Sequence, residues 1–454
     1  MTSLLASLVI IALSIFQPLA EVKPIMTHET ANALKQLNVQ PVWTAGHRGS
    51  GATVAFIDSE IDIDNPMFSG GRVGGYCIIT EETEERCPNG KKTMTGPNSS
   101  VWEDGDDDHG NMVAGILRTV APDASIVPIR AIGGTEALNK SLDYLIENAK
   151  VLNLKVLSLS FGVEVTPTAI DMFGREALQS GNVTCEEVVS AIDGAGKGFV
   201  SKLELLNDLG IAIFVASGNN PSLNFNNYNS PSCLKSTIAV GSMNMEGDVA
   251  WYTTMSTDVE FLGPDAATVP SGYGDGTQLS GGTSAATPFV AGVYALLASA
   301  FPNMTKSQIL LAMKETATRV DDIDVKNLAL PNAEEAYKFL QNFEWCGDTS
   351  TEAEAKGFRL SIAPWLGQSN QLDQITKDKV CNAIASLGPM PKITCVLHKI
   401  SGGKLQTNSD LYLKAENVCN FLSHHTGVKQ KDVRILHVPK RYSQGRIVIT
   451  IRYS

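Results

Sequence analysis

The sequence predicts an α/β protein: a parallel sheet with helices on both faces, followed by a small α/β sandwich domain at the C-terminus. Three observations carry this. From about Val42 to Phe339, short apolar runs alternate with segments of helical periodicity, and that alternation builds parallel sheets covered on both faces. A polar stretch at 342–357 interrupts the pattern, which then resumes on a smaller scale. The charge divides at the same place. From Trp345 onward 15 Lys and Arg stand against 8 Asp and Glu, a surplus of +7, while the whole chain carries −12, so the part before it carries −19. Such asymmetry marks two units with different surfaces.

The elements follow in order. Ser3–Phe16 is an apolar run too short to span a bilayer comfortably, and Ala20 is a suitable residue before a cut, so residues 1–20 read as a signal peptide. Residues 21–341 form the larger domain. Its expected strands are Ala52–Ile57, Ser125–Ile129, Val156–Ser160, Ile211–Val215 and Thr237–Val240, and its expected helices are Asn111–Leu117, Leu142–Leu152, Lys202–Leu209 and Pro288–Ala300. Residues 342–357 are the linker. Residues 358–454 hold strands near Leu360–Ala363, Ile393–Leu397, Val433–Val438 and Arg446–Arg452, with helices near Ile375–Leu387 and Leu411–Ser423, a usual size for a small domain.

Composition sets limits. The net charge of −12 argues against nucleic acid as a partner. No later stretch is apolar for the roughly 18 residues a membrane helix needs, so no transmembrane span is expected in a mature, secreted chain. Eight cysteines fit disulfides in an oxidising compartment. Cys77 and Cys87 flank a short polar loop and pair first; Cys185 and Cys233 are the other two in the acidic part; Cys346, Cys381, Cys395 and Cys419 fall in the basic part. Pairing within each part is the simplest arrangement. Sequons at Asn98, Asn139, Asn182 and Asn303 mark candidate glycosylation sites.

The chemistry lies in four short stretches. Asp58 ends the apolar run Val54–Ile57, His109 opens His109–Gly115, Asn219 closes Ile213–Asn219, and Ser284 lies in Gly282–Pro288. Ligands of parallel sheets bind beyond the carboxyl ends of the strands, where Asp58 and Asn219 both fall. A neutral serine hydroxyl is a poor nucleophile unless a base stands within hydrogen-bond reach and a third group fixes that base. Ser284 is the candidate nucleophile, His109 the base and then acid, Asp58 the orienting carboxylate. The developing oxyanion would meet the Asn219 amide and the Ser284 backbone N–H, with help from a helix beginning near Ser284 and carrying Pro288 in its first turn. His109 must be neutral to act, so activity is expected to fall on the acid side with an apparent pKa near or above ~6.5.

Residues from about Val42 to Phe339 resemble the catalytic domain of subtilisin-like serine proteases. Gly282–Gly292 is similar to that family's serine motif, Val54–Ser59 to its aspartate motif, His109–Gly115 to its histidine motif and Ala216–Asn219 to its oxyanion motif. The chain order Asp, His, Ser is the family's own. The resemblance implies a subtilisin-like fold and a serine endopeptidase acting on peptides or proteins, with Asp58, His109 and Ser284 catalytic and Asn219 at the oxyanion. Ser160, Phe161, Gly162 and Gly218 would bind substrate. No cofactor is required for the chemistry, and a structural Ca2+ is allowed. Three positions depart from the pattern: Glu60 replaces a glycine, Met112 replaces a second histidine, and Asp108 precedes His109. Glu60 and Asp108 are expected to perturb the site electrostatically. The family also carries a sizeable prodomain, whereas between Ala20 and Val42 there is room for only a helix-sized segment. The rival reading is a catalytically impaired homologue acting as a binding or adhesion protein.

Weaker signals complete the picture. The acid-dense run 103–108 could bind Ca2+ but reads as a solvated loop. Residues 193–204 match an EF-hand loop at some places, yet Ala195 and Lys197 stand where acidic ligands belong, so a Gly-rich turn feeding a helix is expected. The basic C-terminal domain is a candidate to dock on an anionic surface.

Overall fold

The computed structural model describes residues 23–342 except 69, 82–83, 102–107, 165–170, 175–182, 184, 193–196, 221–228, 256–258, 272–275 and 323–326; beyond them it describes four strands. The expected signal peptide, all but Asn342 of the expected linker, the acid-dense run up to 107, Asn182 and both expected C-terminal helices lie outside the described residues. The chain divides into two compact units, one ending at Gln341 and the other starting at Asn342.

In chain order the first unit contains α1 (His28–Gln36), α2 (Gln40–Thr44), β1 (Thr53–Asp58), β2 (Tyr76–Ile79), β3 (Thr93–Thr95), α3 (His109–Val120), β4 (Ser125–Ile132), α4 (Gly134–Asn148), β5 (Leu154–Leu159) and β6 (Val163–Glu164). There follow α5 (Cys185–Ile192), α6 (Lys197–Asp208), β7 (Ala212–Ala216), β8 (Asn229–Ser230), β9 (Ile238–Met243), β10 (Val259–Pro264), β11 (Thr268–Pro270) and β12 (Thr277–Leu279). It closes with α7 (Gly282–Ala300), α8 (Lys306–Glu315), β13 (Thr318–Val320), β14 (Leu328–Leu330) and α9 (Ala333–Gln341). Eight strands form one sheet in the order β10-β9-β7-β5-β1-β4-β2-β3, parallel throughout except for the antiparallel β2–β3 edge. The expected parallel α/β sheet is present, and the strand readings stand within a residue or two of β1, β5 and β7, with β4 and β9 each running three residues further, to Ile132 and Met243.

The winding reverses at β1. The chain goes outward to β2 and back to β4, then crosses to β5 and continues through β7, β9 and β10. Beyond the carboxyl ends at such a reversal lies the binding crevice of this sheet class. The pleat decides what enters it. Val54 and Phe56 face the core shared with α3 and α7, whereas Ala55 and Ile57 face the core shared with α4 and α6. With a period of two, Asp58 falls on the Phe56 face, towards α3 and α7. Val156 on β5 lies in the same core, so Ser160 falls on that face as well.

Helix α7 is apolar all round and buried against α3, β5, β7, β9 and β10, as a helix without a polar face must be. Among the described residues it alone is long and apolar enough to cross a membrane, but it is the core helix of this unit. Gly292 permits its crossing with α3: a Cβ there would stand 2.7 Å from Val120 Cβ.

Several expectations change. Helix α7 begins at Gly282, two residues before the start near Ser284 expected for the oxyanion and six before the expected range Pro288–Ala300, so Pro288 sits inside it rather than in its first turn. Helix α6 begins at Lys197, so 197–204 is helical and cannot wrap an ion as an EF-hand loop does. Before β1, α1 and α2 are built into this unit: Thr27 Oγ1 meets Thr268 Oγ1 at 2.9 Å, and Asn32 and Gln36 donate to the Met245 and Asn244 carbonyls. Disulfides join Cys77 to Cys87 and Cys185 to Cys233, with Cα separations of 5.9 and 5.8 Å.

The second unit shows four strands, β15 (Phe358–Ile362), β16 (Thr394–Lys399), β17 (Arg434–His437) and β18 (Ile447–Arg452), in the order β15-β18-β16-β17. Only β16 and β17 are parallel. All four coincide with expected strands.

Candidate active site

Asp58 is the last residue of β1 and His109 the first of α3. His109 Nδ1 stands 2.8 Å from Asp58 Oδ1. The Asp58 side chain is 5% exposed and that of His109 35%, so the carboxylate is shielded while the ring faces the crevice. A carboxylate only accepts, so this contact places the imidazole proton on Nδ1 and the lone pair on Nε2. The Ser59 backbone N–H also donates to Asp58 Oδ1 at 2.8 Å, and Ser59 Oγ accepts the Gly110 N–H at 2.8 Å. Gly110 is required there, because a Cβ would lie 2.4 Å from the Glu60 carbonyl oxygen. The turn after β1 and the start of α3 thus pack closely and are joined through the Ser59 hydroxyl and the Asp58 carboxylate.

Ser160 directly follows β5, whose paired register with β1 ends at Phe56↔Ser158, two residues before Asp58 and Ser160. Neighbouring strands lie about 4.8 Å apart. Ser284 reaches this point from α7. Its Oγ donates to the Ser160 carbonyl at 2.9 Å, and Ser160 Oγ donates to the Ser284 carbonyl at 2.8 Å. The second bond has a cause in the sequence: Pro288 lacks the N–H that would have bonded the Ser284 carbonyl four residues back, and Ser160 supplies the missing donor. Ser284 lies in the first turn of α7, where no preceding helical carbonyl meets the amides.

Asn219 follows β7. Its Oδ1 accepts both the Thr283 N–H and the Thr283 hydroxyl, each at 2.9 Å. With the oxygen so occupied, the orientation of the amide is fixed and Nδ2 is its donor side. At Gly282, with φ +79°, a side chain would be strained and would press on Asn219, its Cβ standing 3.0 Å from Nδ2. Gly218, also at positive φ, donates its N–H to Thr283 Oγ1 at 3.2 Å. Asp58 and His109 are therefore joined directly; Ser160, Ser284, Thr283, Asn219 and Gly218 form a second connected group beside them. Ser160 is buried, Phe161 half-buried and Gly162 exposed, and the three are not in a strand: β5 ends at Leu159 and β6 opens at Val163.

The departures have partners. Glu60 is buried, and its carboxylate meets Arg130 Nε at 2.9 Å. Arg130 also bonds Glu85 Oε2 at 2.8 Å and the Arg86 carbonyl at 3.0 Å, beside the Cys77–Cys87 disulfide. Burial raises the Glu60 carboxyl above its ordinary value, against the pull of Arg130. The guanidinium thus sets a positive charge directly against the Glu60 carboxylate. Asp108 Oδ2 accepts the Ser271 hydroxyl at 2.6 Å. Met112 is buried in the core.

Sequence reading missed Arg130, inside β4, and Ser59, Tyr252 and Thr254, which lie on connectors with no periodic signal. Among the described residues no three His, Cys, Asp or Glu side chains converge as a metal site. Of the sequons, Asn98 and Asn303 are exposed, while Asn139 is half-buried on α4 and donates to the Thr135 carbonyl.

A family model described as the subtilase family matches residues 49–337. Curated relatives include Subtilisin NAT of Bacillus subtilis subsp. natto, 26% identical over 64% of this chain and 68% of its own. Another is the Subtilisin of Bacillus pumilus, 25% identical over 63% of this chain and 90% of its own. Among solved structures, a lanthipeptide protease aligns with a TM-score of 0.52 at 20% identity, covering 69% of this chain and 96% of its own. A protease of Pseudoalteromonas arctica gives 0.52 at 18%, covering 70% and 99%.

Proposed function

The chain belongs to the subtilase family, and on that footing we propose that it is a secreted serine endopeptidase in which Asp58, His109 and Ser284 are the catalytic residues and Asn219 the oxyanion donor. The observation that supports this reading is that two bonded groups, Asp58 with His109 and Ser284 with Asn219 through Thr283, both stand at the carboxyl ends of neighbouring strands of one sheet, β1, β5 and β7. In the reaction Ser284 Oγ exchanges its hydrogen bond to the Ser160 carbonyl for one to His109 Nε2. His109 takes the hydroxyl proton as Oγ bonds the scissile carbonyl carbon, and Asp58 stabilises the imidazolium. The carbonyl oxygen becomes an oxyanion facing Asn219 Nδ2 and the Ser284 N–H. His109 then returns the proton to the amide nitrogen, the C–N bond breaks and the amine leaves. Water, deprotonated by His109, hydrolyses the acyl-serine by the same steps.

Substrate backbone would lie along Ser160–Gly162 and Gly218, since main-chain pairing holds an extended peptide at little sequence cost. Two disulfides and a candidate signal peptide support a secretory route. The test is an internally quenched peptide blocked at both ends, incubated with the purified chain and with Ser284→Ala. Internal cleavage by the first alone is expected. Cleavage only of peptides with a free terminus would replace the endopeptidase reading with an exopeptidase one, and equal cleavage by both proteins would remove Ser284 from its role.

A further inference from the structure

The segment Tyr252–Thr254, on the connector after β9, touches the proposed acyl-transfer group at three points. Tyr252 Oη accepts the Gly282 N–H at 3.2 Å. Thr254 N–H donates to the Gly218 carbonyl at 2.9 Å, and Thr254 Oγ1 both accepts the Asn220 N–H at 2.9 Å and donates to the Asn220 carbonyl at 3.0 Å. Asn219 is thus gripped on either side by Thr254, while the turn that presents Ser284 is gripped by Tyr252.

The Tyr252 hydroxyl has a defined direction. Its single proton goes to Asp265 Oδ2. Its oxygen accepts from Gly282 and, at 3.1 Å, from Ser242 Oγ, which is the full capacity of a phenol. Asp265 is itself anchored, its N–H on the Met243 carbonyl at 3.1 Å and its carbonyl on Ser280 Oγ at 2.8 Å. Burial, and then donation to Asp265, pushes the Tyr252 hydroxyl up to about 12, so it keeps its proton throughout the working range. Gly282 is the residue that needs such a grip. It has positive φ, lies next to Asn219 Nδ2, and its neighbour Thr283 gives both N–H and hydroxyl to Asn219. Successive amides of one turn are held by two different side chains, Gly282 by tyrosine and Thr283 by asparagine.

Resting on the serine-peptidase reading above, we propose that Tyr252 and Asp265 are positioning residues for catalysis: the Asp265-anchored hydroxyl fixes the Gly282 amide and so aligns Ser284 and Asn219 for the oxyanion. Neither touches substrate. Their effect belongs to the transition state, because ground-state peptide binding uses other groups.

Tyr252→Phe removes one oxygen and keeps the ring, including its edge contact with Trp251. It is expected to lower kcat about 10-fold with KM unchanged, the size of one hydrogen bond lost. Affinity for a peptide aldehyde, whose hemiacetal oxygen takes the oxyanion position, should fall by a similar factor, while affinity for an uncleavable substrate analogue should not change. Asp265→Asn keeps an acceptor for the hydroxyl and should retain most of kcat; Asp265→Ala should match Tyr252→Phe. Wild-type kcat and aldehyde affinity in Tyr252→Phe overturn the proposal, even if its melting temperature falls. Should Tyr252→Phe not fold, wild-type kcat and aldehyde affinity in Asp265→Ala overturn it equally. A wild-type protein that neither cleaves peptide nor binds the aldehyde overturns the serine-peptidase reading beneath it, a result distinct from either.

Discussion

The two halves of the proposed site are held by different physics. Around Asp58 and His109 the structure is ionic: Glu60 and Glu85 converge on Arg130 just beyond β1, and Asp108 precedes the histidine. Around Ser284 and Asn219 every described contact is a neutral hydrogen bond, from backbone or from Thr, Ser and Tyr hydroxyls, with Asp265 the one charged anchor behind them. The first half must manage a proton that comes and goes. The second must present fixed dipoles to a charge that exists only in the transition state, where preorganisation matters most. An ionic network suits the former because it can offset a buried carboxylate close to the base. Hydrogen bonds short of full charge suit the latter because they leave the oxyanion as the only strong charge there.

The sharpest way to break this comparison is to remove a reacting group. His109→Ala or Ser284→Ala is expected to cost about 10⁶-fold in kcat, with the double variant no worse; this magnitude is the one measured in subtilisin itself. Arg130→Met comes next and acts on stability. It leaves the buried Glu60 carboxylate without its counter-ion and should cost about 3–5 kcal/mol at neutral pH, read by urea unfolding. The sign with pH follows from the raised Glu60 carboxyl. The folded state holds that proton more tightly than the unfolded chain, so the charged form weighs against folding above the raised value. The deficit of Arg130→Met should therefore shrink as pH falls towards the ordinary carboxyl value of 4.5 and Glu60 protonates. A deficit independent of pH would show that Arg130 acts through packing rather than charge.

Asn219→Ala should lower turnover by about 10²–10³, again the size of the effect measured in subtilisin itself. Because the neutral half binds the transition state, KM should stay near wild type; a rise in KM with kcat intact would place Asn219 in ground-state binding. Ser271→Ala is the smallest test. It removes one hydroxyl from Asp108 and should cost less than about 1 kcal/mol, with little change in kcat. A larger loss of activity would mean that the β11–β12 hairpin sets the position of α3.

Much of this was legible in the sequence, and the limits are physical. The strands β1, β5, β7 and β9 are buried on both faces and read as apolar runs, so Asp58 and Asn219 could be put at strand ends directly. The start of α7 could not, because Pro288 is common in first turns and pointed to a later beginning; the Ser160 hydroxyl that compensates it comes from another strand. Glu60 read as a charge near the base, because its partner Arg130 lies 70 residues away. Tyr252 and Asp265 are 13 residues apart on irregular connectors, where neither a period of two nor one of 3.6 gives a signal. Long-range polar pairs are fixed by topology, and topology was available only as a class.

The most direct measurement is mass-spectrometric labelling by a serine-reactive phosphonate. One adduct on Ser284 of the purified protein is expected, slowed as His109 is protonated at acid pH and absent from His109→Ala. No adduct, or an equal adduct on Ser284→Ala, would contradict the account.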